Sequence, residues 1–111
     1  MNKDKIIRKS ETFTEIINNK QSVKSKYFSI YYIQSDKTLY GITIPKKLGK
    51  AHVRNKLKRQ IKNIIITNEF DIQKNYNYVI ILKEASLNLN YEELKKELLY
   101  IIKKVRSYET K

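Results

Sequence analysis

The chain has 111 residues and a formal net charge of +13 at pH 7, with 24 Lys and Arg against 11 Asp and Glu. Its composition, 41% hydrophobic with only two glycines and one proline, excludes a disordered protein and predicts a single domain over residues 1–111. The absence of cysteine excludes disulfides and thiolate metal sites. No apolar run reaches about 18 residues and no secretory signal is present, so we expect a cytoplasmic protein with no membrane partner.

A short amphipathic helix is the first predicted element, from Glu11 to Asn18. Phe13, Ile16 and Ile17 recur at i, i+3 and i+4, the spacing of one helix face. Ser10 stands where an N-cap is expected. The polar stretch NNKQSVKSK that follows predicts a loop.

Two strands joined by a hairpin are predicted next. The segment YFSIYYI is rich in aromatic and β-branched residues, which favour strands. Its period-two alternation places Phe28, Ile30 and Tyr32 on one face, and Tyr27, Ser29, Tyr31 and Ile33 on the other. QSDK predicts the turn, and TLYGITI predicts the antiparallel partner strand, which ends before Pro45.

A basic amphipathic helix is predicted within KKLGKAHVRNKLKRQIK, residues 46–62, which has eight cationic residues and no acidic one. No carboxylate occurs between Asp36 and Glu69, so the charge is concentrated on this part of the chain. An apolar stripe would anchor the helix on one side; it consists of Val53, Leu57, Ile61, Ile64 and Ile65. Cationic rows flank it, with Arg54, Lys58 and Lys62 in one and Asn55 with Arg59 in another.

A buried strand and a final helix complete the predicted elements. YVIIL is apolar throughout, as in a strand covered on both faces. Asn90 and Glu93 have the spacing of a capping box ahead of an apolar stripe, which consists of Leu94, Leu98, Ile101, Ile102 and Val105. The predicted fold is α+β, a single-domain α-β sandwich in the order α-β-β-(β)-α-β-α. Its sheet would be small and mostly antiparallel.

The residues indicate binding to a polyanion rather than catalysis by the protein. His52 has no carboxylate near it in sequence, and no acidic spacing typical of a two-metal site occurs. Arg54 and Arg59 can each bind a phosphate through the guanidinium fork, and Asn55 offers a donor and an acceptor. A solvated basic face is the alternative, but like charges on neighbouring turns are unfavourable without such a partner.

The aromatic residues divide into a core group and an undecided group. Phe28 and Tyr32 are assigned to the core. Phe13 and Tyr31 either belong to the core as well or line a groove in which bases of a single strand stack. A membrane surface is the weakest alternative for the basic helix, because its apolar stripe lacks Trp and Phe.

Residues 46–62 resemble the characteristic motif of the bacterial ribonuclease P protein subunit family. The matching residues are Lys46, Lys47, Gly49, Ala51, Arg54, Asn55, Lys56, Lys58 and Arg59. Arg8, Lys9 and Phe13 are similar to the family's entry into its first helix, YFSIYY to its first strand, and the segment from Asn77 onward to its last strand and helix.

The resemblance implies an accessory subunit of an endoribonuclease whose RNA subunit performs the catalysis. Together they would remove the 5′ leader from precursor tRNA with Mg²⁺ bound mainly by the RNA, with no catalytic or metal-binding residue on the protein. The implied RNA-subunit contacts are Lys46, Lys47, Lys50, Arg54, Asn55, Lys56, Lys58, Arg59 and Lys62. The implied leader cleft consists of Phe13, Ile17 and Tyr31.

The family also implies a left-handed βαβ crossover through the basic helix, and the catalytic RNA and precursor tRNA as partners with no further protein required. The chain departs from the family pattern at Ile17, where an aromatic residue is expected, and at Lys50, His52 and Lys56. A structural RNA-binding protein of the ribosomal type, without a substrate cleft, is the alternative function.

Overall fold

The computed structural model of this protein describes residue 7 and residues 10–19 and 21–109. Arg8 and Lys9 lie outside the described residues, and so does the side chain of Ser10. The elements are α1 (Ser10–Asn18), β1 (Ser22–Lys24), β2 (Phe28–Gln34), β3 (Leu39–Thr43), α2 (Ala51–Thr67), β4 (Tyr76–Leu82) and α3 (Tyr91–Glu109). Short 3₁₀ turns cover Lys46–Leu48, Glu69–Asp71 and Glu84–Asn88. The α+β class and the predicted order of elements, with one additional strand, are confirmed.

The sheet has the strand order β1-β2-β4-β3. β4 pairs with β2 antiparallel and with β3 parallel, so the predicted hairpin between β2 and β3 is wrong. Tyr78, Val79 and Ile80 of β4 are fully buried, and a strand that is apolar on both faces takes the centre of a sheet. The short QSDK connection therefore leads from one strand to another that is not its neighbour.

The loop predicted for NNKQSVKSK contains the edge strand β1, so this prediction is also wrong. β1 pairs antiparallel with β2, with Val23 opposite Ile30. Only Val23 of its three residues is buried, which leaves almost no apolar pattern to read. Tyr27, predicted on the face opposite Phe28, precedes β2 and contacts the main core instead.

The connection from β3 through α2 to β4 is a left-handed crossover. The Lys83 N–H donates to the Tyr27 carbonyl on the β2 side. Backbone N–H and C=O groups of successive residues in a strand point to alternate sides, so those of Leu82 and Ile80 point toward β3. The side chains of these two residues share a core with α2. Suppose that β4 is viewed running upward, with the side chains of Leu82 and Ile80 toward the viewer. In a strand of L-residues, the backbone N–H and C=O groups of these two residues then point to the right. With α2 in front, β3 lies to the right of β4, opposite to the general preference.

The main core lies between the sheet and the helices α2 and α3. Phe28 and Tyr32 of β2 are buried there, as predicted. The stripe of α2 is buried at Leu57, Ile61, Ile64 and Ile65 with Val53 at its margin, and the stripe of α3 is buried along its whole predicted length, Leu94, Leu98, Ile101, Ile102 and Val105. Burying these apolar side chains is the main force that holds both helices on the sheet.

The opposite face of the sheet is covered by the much shorter α1. Ile7, Ile16 and Val79 form a small buried cluster there, and Phe13, Tyr31 and three aliphatic side chains pack around it only partly buried. α1 has nine residues, too few to cover a four-stranded sheet. This face therefore keeps accessible aromatic surface beside a rigid floor.

The last helix begins with the predicted capping box. The Asn90 N–H donates to Glu93 Oε1 at 3.0 Å, and the Glu93 N–H donates to Asn90 Oδ1 at 2.9 Å. Within the described part of the chain, no helix has both the length and the apolarity needed to cross a bilayer.

Candidate nucleic-acid interface

The basic helix α2 is entered through a tight turn that orients its first residues. Leu48 of the preceding 3₁₀ turn is buried in the core, and Gly49 has φ 153°, a value that side chains with a Cβ rarely adopt. A Cβ at Gly49 would also lie 3.2 Å from Val53 Cγ1. Glycine is therefore required here, and the turn places Lys46, Lys47 and Lys50 beside the start of α2.

Arg54 ties this turn to the helix. Its Nε donates to the Gly49 carbonyl at 3.2 Å, and the side chain is half-buried. Because only Nε is used in this bond, the terminal guanidinium nitrogens keep their donors for a partner. The Arg54 guanidinium is thus pre-oriented rather than freely rotating, and its planar donor pair has the geometry that suits a phosphate.

The predicted RNA-binding residues form a continuous cationic segment on the outer side of α2. Most are exposed: Lys46, Lys47, Lys50, Asn55, Lys56, Lys58 and Arg59. Arg54 and Lys62 are half-buried. Among the residues that the structure describes, none of these cations forms an ion pair, so their charge is available to an external anion.

The start of α2 is electrostatically unfavourable without a partner. Its N-cap position, Lys50, makes no side-chain capping hydrogen bond, and the first turn has no acidic residue. Cations at the positive end of a helix dipole are destabilising by about 0.3–1 kcal/mol each at low ionic strength. A bound phosphate would instead stabilise the start of α2, because the free backbone N–H groups and the helix dipole both favour an anion there.

A polar groove runs between α2 and the end of β3. It has a volume of about 260 Å³ and is lined by Ile42, Thr43, Ile44, Arg54, Asn55 and Lys58. Three of the predicted RNA-binding side chains therefore share one concave surface. A groove of this size and polarity fits a phosphate with part of its sugar rather than a large apolar ligand.

The predicted leader cleft lies on the sheet face that α1 covers. Tyr31, Val79 and Gly41 occupy one row across β2, β4 and β3, and the ring of Phe13 lies over Gly41. A Cβ built on Gly41 would be 2.5 Å from Phe13 Cζ and 2.8 Å from Cε1. Two strand spacings, about 10 Å, therefore separate Tyr31 from the strand under Phe13.

Phe13 and Tyr31 are thus brought to the same face, both half-buried. Ile17, on the same helix as Phe13, is 36% exposed and lies outside the buried cluster. It offers an aliphatic surface at the margin of the cleft. The two aromatic rings do not contribute to the main core.

Lys24 is a cleft residue that the sequence reasoning missed. It lies on β1, and its Nζ is 5.5 Å from the centroid of the Tyr31 ring, within the range of a cation–π contact. The error follows from reading β1 as a loop. The alternation of Ser22, Val23 and Lys24 around one buried residue was the only available signal.

The remaining candidates in the sequence are His52 and the acidic residues. His52 is exposed at the start of α2. No group of three or more His, Cys, Asp or Glu side chains able to hold a metal ion occurs among the described residues. The arrangement is suited to binding an extended polyanion.

Comparison with known proteins finds relatives that match almost the whole chain. A family model described as Ribonuclease P matches residues 1–106. The ribonuclease P protein component of Carboxydothermus hydrogenoformans is 38% identical over 107 residues, which cover 93% of this chain and 92% of the relative. That of Mycoplasma mycoides subsp. mycoides is 38% identical over 109 residues, covering 96% of this chain and all of the relative.

Solved structures agree with the sequence comparison. A Staphylococcus aureus RNase P protein, a mutant with defective mRNA degradation activity, superposes with a TM-score of 0.87 at 26% identity, covering 94% of this chain and 90% of that one. The RNase P protein of Thermotoga maritima gives 0.82 at 27% identity, with coverage of 88% and 94%. With the fold, the basic helix and the comparisons in agreement, the chain belongs to the ribonuclease P protein component family.

Proposed function

We propose that this protein binds the catalytic RNA of ribonuclease P and the 5′ leader of precursor tRNA, and so assists Mg²⁺-dependent removal of the leader. The observation that supports this most directly is a pair of surfaces on one rigid sheet. One is the cationic side of α2, and the other is the aromatic cleft beside α1. A structural RNA-binding protein needs the first surface but not the second.

The cationic side of α2 would contact the RNA subunit through its phosphates. Eight exposed polar and basic side chains extend from Lys46 to Arg59, and Arg54 is pre-oriented by its bond to Gly49. Affinity should therefore depend steeply on salt, because each neutralised phosphate releases a counterion. Lys56 provides charge without the bidentate geometry of arginine.

The cleft would bind the leader as a single strand. Phe13 and Tyr31 provide partly exposed rings on which unpaired bases can stack, each contributing on the order of 1–3 kcal/mol. Val79 forms a fully buried floor between them. Lys24, beside the Tyr31 ring, would contact a phosphate of the same strand.

The Mg²⁺ ions of this reaction would be held by RNA. The described His, Asp and Glu side chains show no cluster that suits a metal. In this proposal the protein binds and orients two RNAs and offsets their mutual repulsion. Mg²⁺ supplies charge stabilisation at the phosphodiester that is cut. The proposal places the protein in the bacterial cytoplasm with these RNAs as its only required partners.

The decisive experiment is processing of precursor tRNA at low Mg²⁺ by a bacterial ribonuclease P RNA, with and without this protein. Added protein should restore cleavage at the 5′ end of the mature tRNA. Absence of any stimulation would contradict the proposal, and cleavage by protein alone would contradict the assignment of catalysis to RNA.

Separate variants test the two surfaces. Arg59→Ala should weaken binding of the RNA subunit and reduce the slope of log affinity against log salt by about 0.7–0.9. Lys74→Ala, which removes an exposed charge outside α2, is the matched control and should leave the slope unchanged. Tyr31→Ala should weaken binding of precursor tRNA about five-fold or more without affecting mature tRNA. Equal losses for both ligands would favour the structural RNA-binding alternative or a damaged fold.

A further inference from the structure

The outer face of α3 has a second combination of lysines and an exposed aromatic ring. Lys96, Tyr100, Lys103 and Lys104 recur at helical spacing on the side opposite the buried stripe. With Leu99 they line a shallow depression of about 560 Å³. The sequence reasoning assigned no function to this face, and the proposed function does not use it.

Two aromatic side chains are strongly exposed, Tyr100 on this face and Phe70 in the short turn that follows α2. Tyr100 is 58% exposed and Phe70 97%, the highest values for large hydrophobic side chains among the described residues. Phe70 precedes Asp71, whose Oδ2 is 4.0 Å from Lys103 Nζ. The turn that contains Phe70 therefore lies next to Lys103 of α3. Leaving so much apolar area in water is unfavourable unless a partner covers it.

The Tyr100 ring is bordered by a cation. Lys104 Nζ is 4.7 Å from the centroid of the Tyr100 ring, and Lys103 lies beside the segment that contains Phe70. Glu97 is the one carboxylate between Lys96 and Lys104 in sequence, against three lysines in the same span. Asp71 and Lys103 are each about half-exposed, and such an ion pair stabilises little and is readily exchanged for another anion.

This surface is separate from the two already described. The sheet lies between α3 and the cleft beside α1, since α2 and α3 pack on the opposite face. The cationic start of α2 is also distant, because Arg54 and Thr67 are separated by about 20 Å of helix and Phe70 follows Thr67. One short strand in the cleft does not also cover α3.

We propose that the outer face of α3, with Phe70, binds unpaired nucleotides of single-stranded RNA. One base stacks on Tyr100 and a neighbouring base on Phe70. Lys96, Lys103 and Lys104 contact the phosphates between and beside them. Alternating aromatic and cationic groups suit this ligand, whereas an apolar protein partner would need a continuous apolar patch. The inference does not rest on the proposed leader cleft.

The test uses the full chain and a short fluorescent oligouridylate. The Tyr31→Ala variant serves as background, so that binding in the cleft does not mask the α3 surface. Adding Tyr100→Ala should weaken the remaining affinity at least about five-fold, the lower limit for loss of one stacked base. Tyr100→Phe keeps the ring and should restore binding. Lys103→Gln should reduce the salt slope by about 0.7.

Two further measurements decide between RNA and other partners. Photocrosslinking of thiouridine-substituted oligouridylate to the wild-type chain should label Tyr100 or Phe70. Leu87→Ala, which removes another exposed apolar side chain in the turn before α3, is the control and should change nothing. An unchanged affinity in the Tyr100→Ala variant, or crosslinks confined to Tyr31 and α2, would overturn the proposal. Self-association that Tyr100→Ala abolishes, without RNA binding at this face, would overturn it in favour of a protein contact.

Discussion

Gly41 makes room for the Phe13 ring, so Gly41→Ala should disturb the cleft from beneath. The new methyl group would lie 2.5 Å from Phe13 Cζ and 2.8 Å from Cε1, well inside the 3.5–4.0 Å at which carbon atoms attract. Gly41 has no positive φ, so the backbone accepts alanine. The Phe13 ring has to move outward, either by rotation of its side chain or together with α1.

The expected change in the free energy of unfolding is the sum of two opposing contributions. Inserting a methyl group into a packed contact lowers the free energy of unfolding by about 1–3 kcal/mol. Replacing glycine by alanine at a compatible backbone position raises it by about 0.4–1 kcal/mol through the unfolded state. The net result should be a loss of about 0–2.5 kcal/mol. In a Phe13→Ala background the clash is absent, and Gly41→Ala should then be stabilising.

A double-mutant cycle in urea measures this reversal. Gly41→Ala and Phe13→Ala should couple by about 1–3 kcal/mol, the size of the relieved contact. Ile17→Ala, on the same helix but outside the cluster around Ile16, is the matched control and should combine additively with Gly41→Ala. Additivity with Phe13→Ala as well would refute the placement of the ring over Gly41.

Three further changes test other parts of the structure. Arg54→Lys keeps the charge but loses the Nε donor to the Gly49 carbonyl, so RNA affinity should fall several-fold, about 0.5–1.5 kcal/mol, at an unchanged salt slope; an unchanged affinity would contradict pre-orientation. Burial raises the pKa of Tyr40 to about 12, with a smaller contribution from Glu69, so this tyrosine stabilises the fold below pH 10 and the contribution is lost as pH rises toward 12. The urea midpoint of the wild type should therefore fall relative to that of Tyr40→Phe over that interval, and parallel curves would contradict it. Asn90→Ala removes the side-chain oxygen that accepts from the Glu93 N–H and should lower the free energy of unfolding, measured by thermal denaturation, by about 1 kcal/mol. Asn88→Ala, in the turn before α3, should not.

Elements with a strong local period were predictable. The stripes of α2 and α3 extend over several turns, and each apolar residue in them is buried or packed against the core. The same holds for the capping box at Asn90, where two residues three apart satisfy each other. In these segments a residue's burial depends on its own helix, so a single sequence contains the information.

Pairing between strands was not predictable in the same way. Nothing in residues 28–44 shows that a strand from much later in the chain lies between β2 and β3. β1 has one buried residue and is identified only by its partner. The short turn between β2 and β3 favours a hairpin, but burying β4 on both faces contributes more free energy than that hairpin would. This burial depends on the whole sheet.

The candidate site also has a part that the sequence predicts and a part that depends on strand order. The cations of α2 follow from sequence, since a basic segment on an amphipathic helix has to face solvent. The position of Phe13 over Gly41 and of Lys24 over Tyr31 follows from strand order, which sequence spacing does not contain. Exposure of Phe70 likewise depends on the turn after α2 rather than on any periodic pattern.

The central place of β4 has a consequence for synthesis of the protein. In the described sheet β3 pairs with no strand but β4, and Phe28 pairs with Leu82, so a nascent chain that ends before Tyr76 leaves β3 without its partner strand and β2 with one unpaired edge. Contacts between such distant residues form slowly, and collapsed intermediates with bare edges aggregate readily. We expect the sheet to close only after β4 has left the ribosome, which makes the interval before its emergence the period of greatest risk of misassembly.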